Sequence, residues 1–236
     1  MSAPGLVWLE TCGSTNDEAR ARAHEAGVRA VGATAQTAGR GRRGRSWLSP
    51  AGCGLYLSYV ARPRFPQSLG GAVPLMAAAA LAEFCAEQGV TPTLKWPNDL
   101  LLDGRKLAGV LCEAQGAPDA WSAIVGVGLN LRSPPGGWPA DVPGVALETA
   151  LEAPAVAAAL LPRFDAWLAR VAAEGLAPVL AAWTRFAPPA GTRLRQAEIE
   201  GEYAGLAPDG ALRLRTAAGL RTVHAGEVEL VRWHGG

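Results

Sequence analysis

The dipeptide Asp103-Gly104, set between the apolar runs Leu100–Leu102 and Lys106–Glu113, does most to limit what this chain can fold into. A two-residue Asp-Gly connection suits a tight hairpin turn and so demands two antiparallel strands. Strand-like runs also cover Leu6–Leu9, Gly32–Gln36, Gly54–Ala61, Thr93–Trp96 and Ala120–Leu131. Among them only two segments read as helices. One runs from about Asp17 to Ala26, opened by the capping residues Ser14-Thr15-Asn16-Asp17 and closed by Gly27. The other is the apolar stretch Pro74–Gln88, ending at Gly89. A parallel strand pair needs a long crossover, and too few are present for a doubly wound sheet. The expected fold is α+β, a mixed or antiparallel sheet with flanking helices.

The second half of the chain changes character twice. Ser133–Gly144 is a proline-rich, weakly charged loop and reads as a mobile or lid-like segment. Helices are expected over Pro154–Glu174 and Leu176–Phe186, with Trp167 and Trp183 as core anchors. Pro188-Pro189 then marks a boundary, and Thr192–Val231 alternates in short strands turned at Asp209-Gly210 and Gly219. We therefore expect two units, residues 1–188 and a small β-barrel over 189–236.

Composition excludes several functions. With 22 Lys+Arg against 21 Asp+Glu the net charge is +1, without the excess a dedicated nucleic-acid binder carries. No apolar run is long enough for a membrane span, and Met1–Glu10 has no basic segment leading into an apolar one, so a cytoplasmic protein is expected. Cys12, Cys53, Cys85 and Cys112 lie far apart with no histidine nearby, so no protein-held metal site is expected.

Rarity within the chain is more telling. Lysine occurs only at Lys95 and Lys106 and asparagine only at Asn16, Asn98 and Asn130, all within three short segments: Ser14–Asp17, Lys95–Leu101 with the following Lys106, and Gly126–Asn130. A chain that otherwise uses arginine keeps lysine where a compact point charge is needed. Charge is also segregated. Ala26–Ala82 contains no acid but holds Arg29, Arg40, Arg42, Arg43, Arg45, Arg62 and Arg64. At its centre lies Gly39-Arg40-Gly41-Arg42-Arg43-Gly44-Arg45-Ser46-Trp47, where glycines admit close backbone approach and arginines offer bidentate forks: an anion-binding loop. The formal GxGxxG within it is followed by Pro50, Gly52 and Gly54 instead of a helix, with no acid about 20 residues on to hold a ribose, so it is not a dinucleotide fingerprint. No Walker A sequence is present.

In this order, Ser14-Thr15-Asn16, Gln36–Trp47, Lys95–Leu101, Gly104–Leu111 and Gly126–Asn130 resemble the bacterial biotin-protein ligases, over nearly the whole chain. The resemblance implies a biotin/lipoate-ligase fold, class II synthetase-like, with an SH3-like C-terminal barrel. It also implies a biotin-[biotin carboxyl carrier protein] ligase. Such an enzyme turns biotin and ATP into biotinyl-5'-AMP and pyrophosphate, then passes biotin to a lysine of a carrier protein of acetyl-CoA carboxylase. Magnesium would come with ATP. By the same resemblance Ser14, Thr15, Asn16, Gln36, Gly39, Arg40, Gly41, Arg42, Lys106 and Gly109 contact biotin. Arg42, Arg45, Trp47, Asn98, Asp99, Lys106 and Asn130 face the nucleotide, with Trp47 stacked on adenine.

Elementary chemistry agrees. A carboxylate attacking an α-phosphate needs no base, only neutralisation of the two anions, which Lys106 as a point charge and Arg40, Arg42 and Arg45 as forks can supply. Lys106, Arg42 and Asp99 are the catalytic candidates, Asp99 to accept or orient the acceptor amine's proton. Lys95 is open between positioning and contact. Some relatives carry an N-terminal winged helix-turn-helix and bind DNA; no room for one precedes Ser14, so no nucleic-acid or membrane partner is expected. A homodimer is left open. The rival readings are a lipoate or octanoate ligase or transferase and a non-catalytic biotin or nucleotide sensor.

Overall fold

The computed structural model describes residues 3–118, 120–140 and 143–233. A seven-stranded mixed sheet holds β1 (Leu6–Cys12), β2 (Ala30–Gln36), β3 (Gly54–Ala61), β4 (Thr93–Lys95), β5 (Asp99–Leu102), β6 (Arg105–Ala117) and β7 (Ala120–Asn130), in the order β1-β2-β3-β7-β6-β5-β4. Only β1 and β2 run parallel, joined through the helix α1 (Thr15–Ala21); every other neighbour is antiparallel. The α+β expectation holds. Asp103-Gly104 turns β5 into β6 with both residues at positive φ, as an Asp-Gly turn requires.

Helix α1 differs from its predicted span: it starts at Thr15 and ends at Ala21. The Ser14 main-chain oxygen accepts from the backbone N–H of Asp17 and Glu18, while the Ser14 side chain makes no capping bond. Beyond Ala21 the bonds tighten to three-residue spacing, Ala23 to Arg20 and Glu25 to Arg22, and the helix dissolves into turns before Gly27.

The two faces of the sheet are covered unequally. On one face α2 (Ala72–Glu87), α3 (Ala153–Glu174) and α4 (Ala177–Arg185) build the main core. The alanine-rich α2 is buried almost all round, and its small side chains let strands and helices approach closely. Trp167 and Trp183 are both buried there, and the Trp183 indole N–H donates to the Leu75 carbonyl at 2.9 Å. Among the described residues only short α1 packs on the opposite face, over Val31, Val60 and Ile124. The β7-β6-β5 half of that face is therefore free of helices, and the pocket lies there.

The second sheet is antiparallel in the order β11-β10-β9-β8-β12, formed by β8 (Arg193–Gln196), β9 (Ile199–Leu206), β10 (Leu212–Thr216), β11 (Gly219–Val223) and β12 (Glu229–Arg232). It is the small SH3-like unit anticipated. Leu194, Leu212, Leu214, Val223 and Val228 belong to the same hydrophobic cluster as the main sheet. The Trp96 indole N–H donates to the Gly210 carbonyl at 3.0 Å, tying that unit to the turn before β5.

Candidate active site

Pairing brings residues far apart in sequence onto one line: Asp99 faces Gly109 across β5-β6, and Gly109 faces Gly128 across β6-β7. Alternation on β7 puts Gly126, Gly128 and Asn130 on the helix-free face beside Ser58 of β3. Strict alternation would turn Lys106 away from Gly109. The β5-β6 register shifts beside Leu107, whose side chain is buried in the core, and Lys106 thereby shares the open face. Its ammonium lies 3.2 Å from where a Cβ on Gly109 would stand. These residues floor a cavity of about 620 Å³, within the usual range for small-molecule sites.

One end of the cavity is neutral and tightly bonded. Gln36 Oε1 accepts from the Thr15 backbone N–H at 2.8 Å and from its hydroxyl at 3.1 Å, while Gln36 Nε2 donates to Ser49 Oγ at 2.9 Å. Ser58 Oγ donates to Asn16 Oδ1 at 2.6 Å and lies 2.8 Å from the Thr15 hydroxyl. Asn16 Nδ2 donates to Glu113 at 2.6 Å. Thr15 and Asn16 are 4% and 3% exposed, so each polar atom here needs its partner. A methyl on Gly126 would overlap the Asn16 amide.

The other end is charged. Asp99, 6% exposed, forms ion pairs with Lys106 (2.8 Å) and Lys95 (2.9 Å). Burial pushes its carboxyl up, but the two lysines outweigh that and hold it below the usual carboxylate range. Lys95 also donates to the Val228 carbonyl at 3.0 Å, which leaves Lys106 as the lysine facing the cavity centre. Arg42 donates to Asn98 Oδ1 at 3.0 Å and to the Gly226 carbonyl at 3.1 Å. Asn98 Nδ2 donates to the Val110 carbonyl at 2.8 Å, and Asn130 Nδ2 to the Lys106 and Val145 carbonyls at 3.1 and 3.0 Å. Both asparagines thus hold the backbone and cations in place with the amides themselves.

The arginine-rich loop forms the roof. Arg40 and Ser46 bridge, Trp47 N–H bonds the Gly39 carbonyl at 2.8 Å, and Arg42–Gly44 makes one tight turn instead of opening a helix. Arg45, largely exposed, pairs with Glu227. The Trp47 indole lies on the glycine floor, so close to Gly128 that a methyl there would overlap the ring, with the Lys106 ammonium 5.3 Å from the ring centroid.

Ser14, Thr15, Asn16, Gln36, Arg40, Gly41, Arg42, Arg45, Trp47, Asn98, Asp99, Lys106, Gly109 and Asn130 all line this cavity. Gly39 does not: it is buried beneath the loop, and a Cβ there would stand 2.6 Å from the Trp47 carbonyl and 2.7 Å from Ser49 Oγ. Its part is packing. Ser49, Ser58, Glu113 and Trp138 are not marked by the sequence, and Gly126 and Gly128 are marked only as part of the Gly126–Asn130 segment. The Gly-x-Gly-x-Asn alternation of Gly126–Asn130 was the available signal for a flat strand floor; Ser58 and Glu113 carried none. Trp138 reaches the pocket from the proline-rich loop, packed so near Gly144 that a side chain there would overlap it. Asp141 and Val142 of that loop lie outside the described residues.

Fold and site together present a cavity, neutral and hydrogen-bonding at one end and cationic at the other, on the open face of a mixed sheet. The biotin/lipoate A/B protein ligase family matches residues 13–130, and the biotin protein ligase C terminal domain matches residues 191–231. The chain is 31% identical over 212 residues to the bifunctional ligase/repressor BirA of Bacillus subtilis, which covers 85% of this chain and 65% of that protein. It is 35% identical over 208 residues to the biotin--[acetyl-CoA-carboxylase] ligase of Paracoccus denitrificans, covering 82% and 86%. Biotin protein ligase from Aquifex aeolicus in complex with biotin and ATP shares the fold with a TM-score of 0.78 and 27% identity, covering 97% of this chain and 99% of that one. This chain belongs to the biotin/lipoate protein ligase family.

Proposed function

We propose that the chain is a biotin-protein ligase: it joins biotin to AMP at the expense of ATP and passes the biotinyl group to a lysine of a biotin carboxyl carrier protein. The reading rests chiefly on one observation. A single cavity joins a neutral end lined by Thr15, Asn16 and Gln36, with Ser58 buried behind them, to a cationic end lined by Lys106 and Arg42. The first suits a ureido ring, which both donates and accepts; the second suits a carboxylate meeting a phosphate. A lipoyl or octanoyl chain has no use for the neutral set, and a sensor has no use for an ammonium poised between two anions. Residues 1–188 would bind the substrates, with 189–236 packed beside the loop.

In the first step a biotin carboxylate oxygen bonds to the α-phosphorus, the bond to the β-phosphate oxygen breaks, and pyrophosphate leaves. Lys106 sits where carboxylate and α-phosphate converge, and Arg42 takes phosphate oxygen. Magnesium would come with ATP as part of the substrate and would offset phosphate charge beside Arg42 and Lys106. In the second step the neutral acceptor amine attacks the acyl carbon and AMP leaves. Asp99, held anionic by two lysines, is a weak base. Its better role is to fix Lys106, with the amine losing its proton to solvent. Trp47, on the floor between the neutral end and Lys106, faces the path of the acyl chain, and Trp138 at Gly144 offers adenine an aromatic face.

The test is pyrophosphate release from Mg-ATP by the purified protein with biotin, lipoate, octanoate or no acid. A single turnover with biotin alone is expected. Release with lipoate or octanoate moves the assignment to an acyl-ligase sister, and no release with any acid leaves the sensor.

A further inference from the structure

Arg40 lines the cavity, but its guanidinium is engaged by carboxylates of the protein itself. Its two terminal nitrogens are taken up by Asp17, Nη1 to Oδ2 at 2.5 Å and Nη2 to Oδ1 at 2.7 Å, in a bidentate pair. Arg20 bonds the same Asp17 at 2.9 Å and bridges to Glu113 at 2.8 Å, and Arg40 Nη2 lies 3.6 Å from that Glu113 oxygen. The same Glu113 oxygen accepts from Asn16 Nδ2 at 2.6 Å. One continuous network thus joins the loop (Arg40), helix α1 (Asn16, Asp17, Arg20) and strand β6 (Glu113). Asp17 does not line the cavity. Other ties of the loop run the other way, from Arg42 to Asn98 and the Gly226 carbonyl and from Arg45 to Glu227.

We propose that Asp17 is a positioning residue: with Glu113 it latches Arg40, and through Arg40 the whole Gly39–Trp47 loop, onto α1. The Glu113 carboxylate that completes the latch also orients the Asn16 amide, so loop closure and the set of the pocket's neutral end depend on one network. Arg40 then serves as a strut, and the capture of anions falls to Arg42 and Lys106. Without the latch the roof opens more often and a bound acyl-adenylate escapes to water.

This inference rests on the ligase reading, so the test has two arms, both on the full chain. In the first, preformed biotinyl-adenylate is chased from the wild type, Asp17→Asn and Asp17→Glu. Escape from Asp17→Asn is expected about fivefold faster, the equivalent of about 1 kcal/mol for a half-exposed pair. Adenylate formation at saturating substrate stays within about twofold and Asp17→Glu restores most of the retention. In the second arm, without ligand, trypsin cleavage after the exposed Arg43 is followed by mass spectrometry, and Asp17→Asn is expected to be cut several times faster. Unchanged escape and unchanged cleavage overturn the latch, even if the variant melts at a lower temperature. If the wild type forms no adenylate from any acid, the ligase reading falls while the trypsin arm still decides the latch.

Discussion

The two ends of the pocket solve the problem of buried polarity in opposite ways. At the neutral end Thr15, Asn16, Gln36, Ser49 and Ser58 bond mainly to one another, with Glu113 taking the Asn16 amide N–H, and the chain of bonds reaches the Trp47 carbonyl through Ser49 at 3.0 Å. At the charged end one carboxylate faces two ammonium groups, so positive charge is left over after pairing. The neutral end is complete and selects by shape and hydrogen-bond sense. The charged end is incomplete until an anion arrives. Recognition and chemistry are therefore separable across the sheet, with Ser58 on β3 two strand steps from Lys106 on β6.

Removing the charge that faces the cavity should have the largest effect. Lys106→Ala is expected to slow adenylate formation by about a hundredfold or more, measured as single-turnover pyrophosphate release, with a smaller loss of stability than Asp99→Asn because Lys95 still pairs with Asp99. A wild-type rate would move the chemistry off Lys106.

Asp99→Asn should come next and should act on stability as well. It leaves two lysines beside a neutral amide, at a cost of about 3 kcal/mol, read by urea unfolding. The sign with pH follows from the depressed carboxyl. Asp99 is held below its unfolded value, so its pairs add stability above the ordinary carboxylate range and lose it as pH falls through the lower, folded value. The gap between wild type and Asp99→Asn should be full at neutral pH and close in acid. A gap that persists in acid would show that the pairs are not its source.

Gly128→Ala tests the floor between the two ends. Its methyl collides with the Trp47 indole, so KM for the acid should rise about tenfold while stability changes little, since the ring can lift away from the sheet. An unchanged KM would place the acyl chain elsewhere. Ser58→Ala should have the smallest effect. It strips a partner from Asn16 Oδ1, raising KM for the acid by about fivefold with kcat unchanged. A fall in kcat instead would mean that the neutral end takes part in the chemistry.

Much of this site was legible in the sequence because its residues are rare for physical reasons. A chain that almost always uses arginine keeps lysine only at Lys95 and Lys106, and both reach Asp99. The three asparagines fall in the three segments that line the cavity. Local chemistry also announced the Asp103-Gly104 hairpin, and the strand-rich order implied a mixed sheet. Ser58 was illegible, since a serine inside the apolar run Gly54–Ala61 looks like any other half-apolar strand position. Glu113 likewise reads as the polar end of a strand until α1 and the loop are brought against it. Gly39 was misplaced for a related reason: a glycine needed for packing cannot be told by sequence from one that admits a ligand.

The sequence by itself determined the strand order along the chain, the anion-binding character of the loop and the lysine that chemistry needs, because turn geometry, charge and point-charge placement are local properties. Only the tertiary structure decided which end of the pocket is neutral, which arginine is a strut and which a ligand, and how Lys106 comes to face Gly109. Those depend on register, a bulge at Leu107 and carboxylates many residues away, and no local pattern encodes a partner that the fold alone brings near.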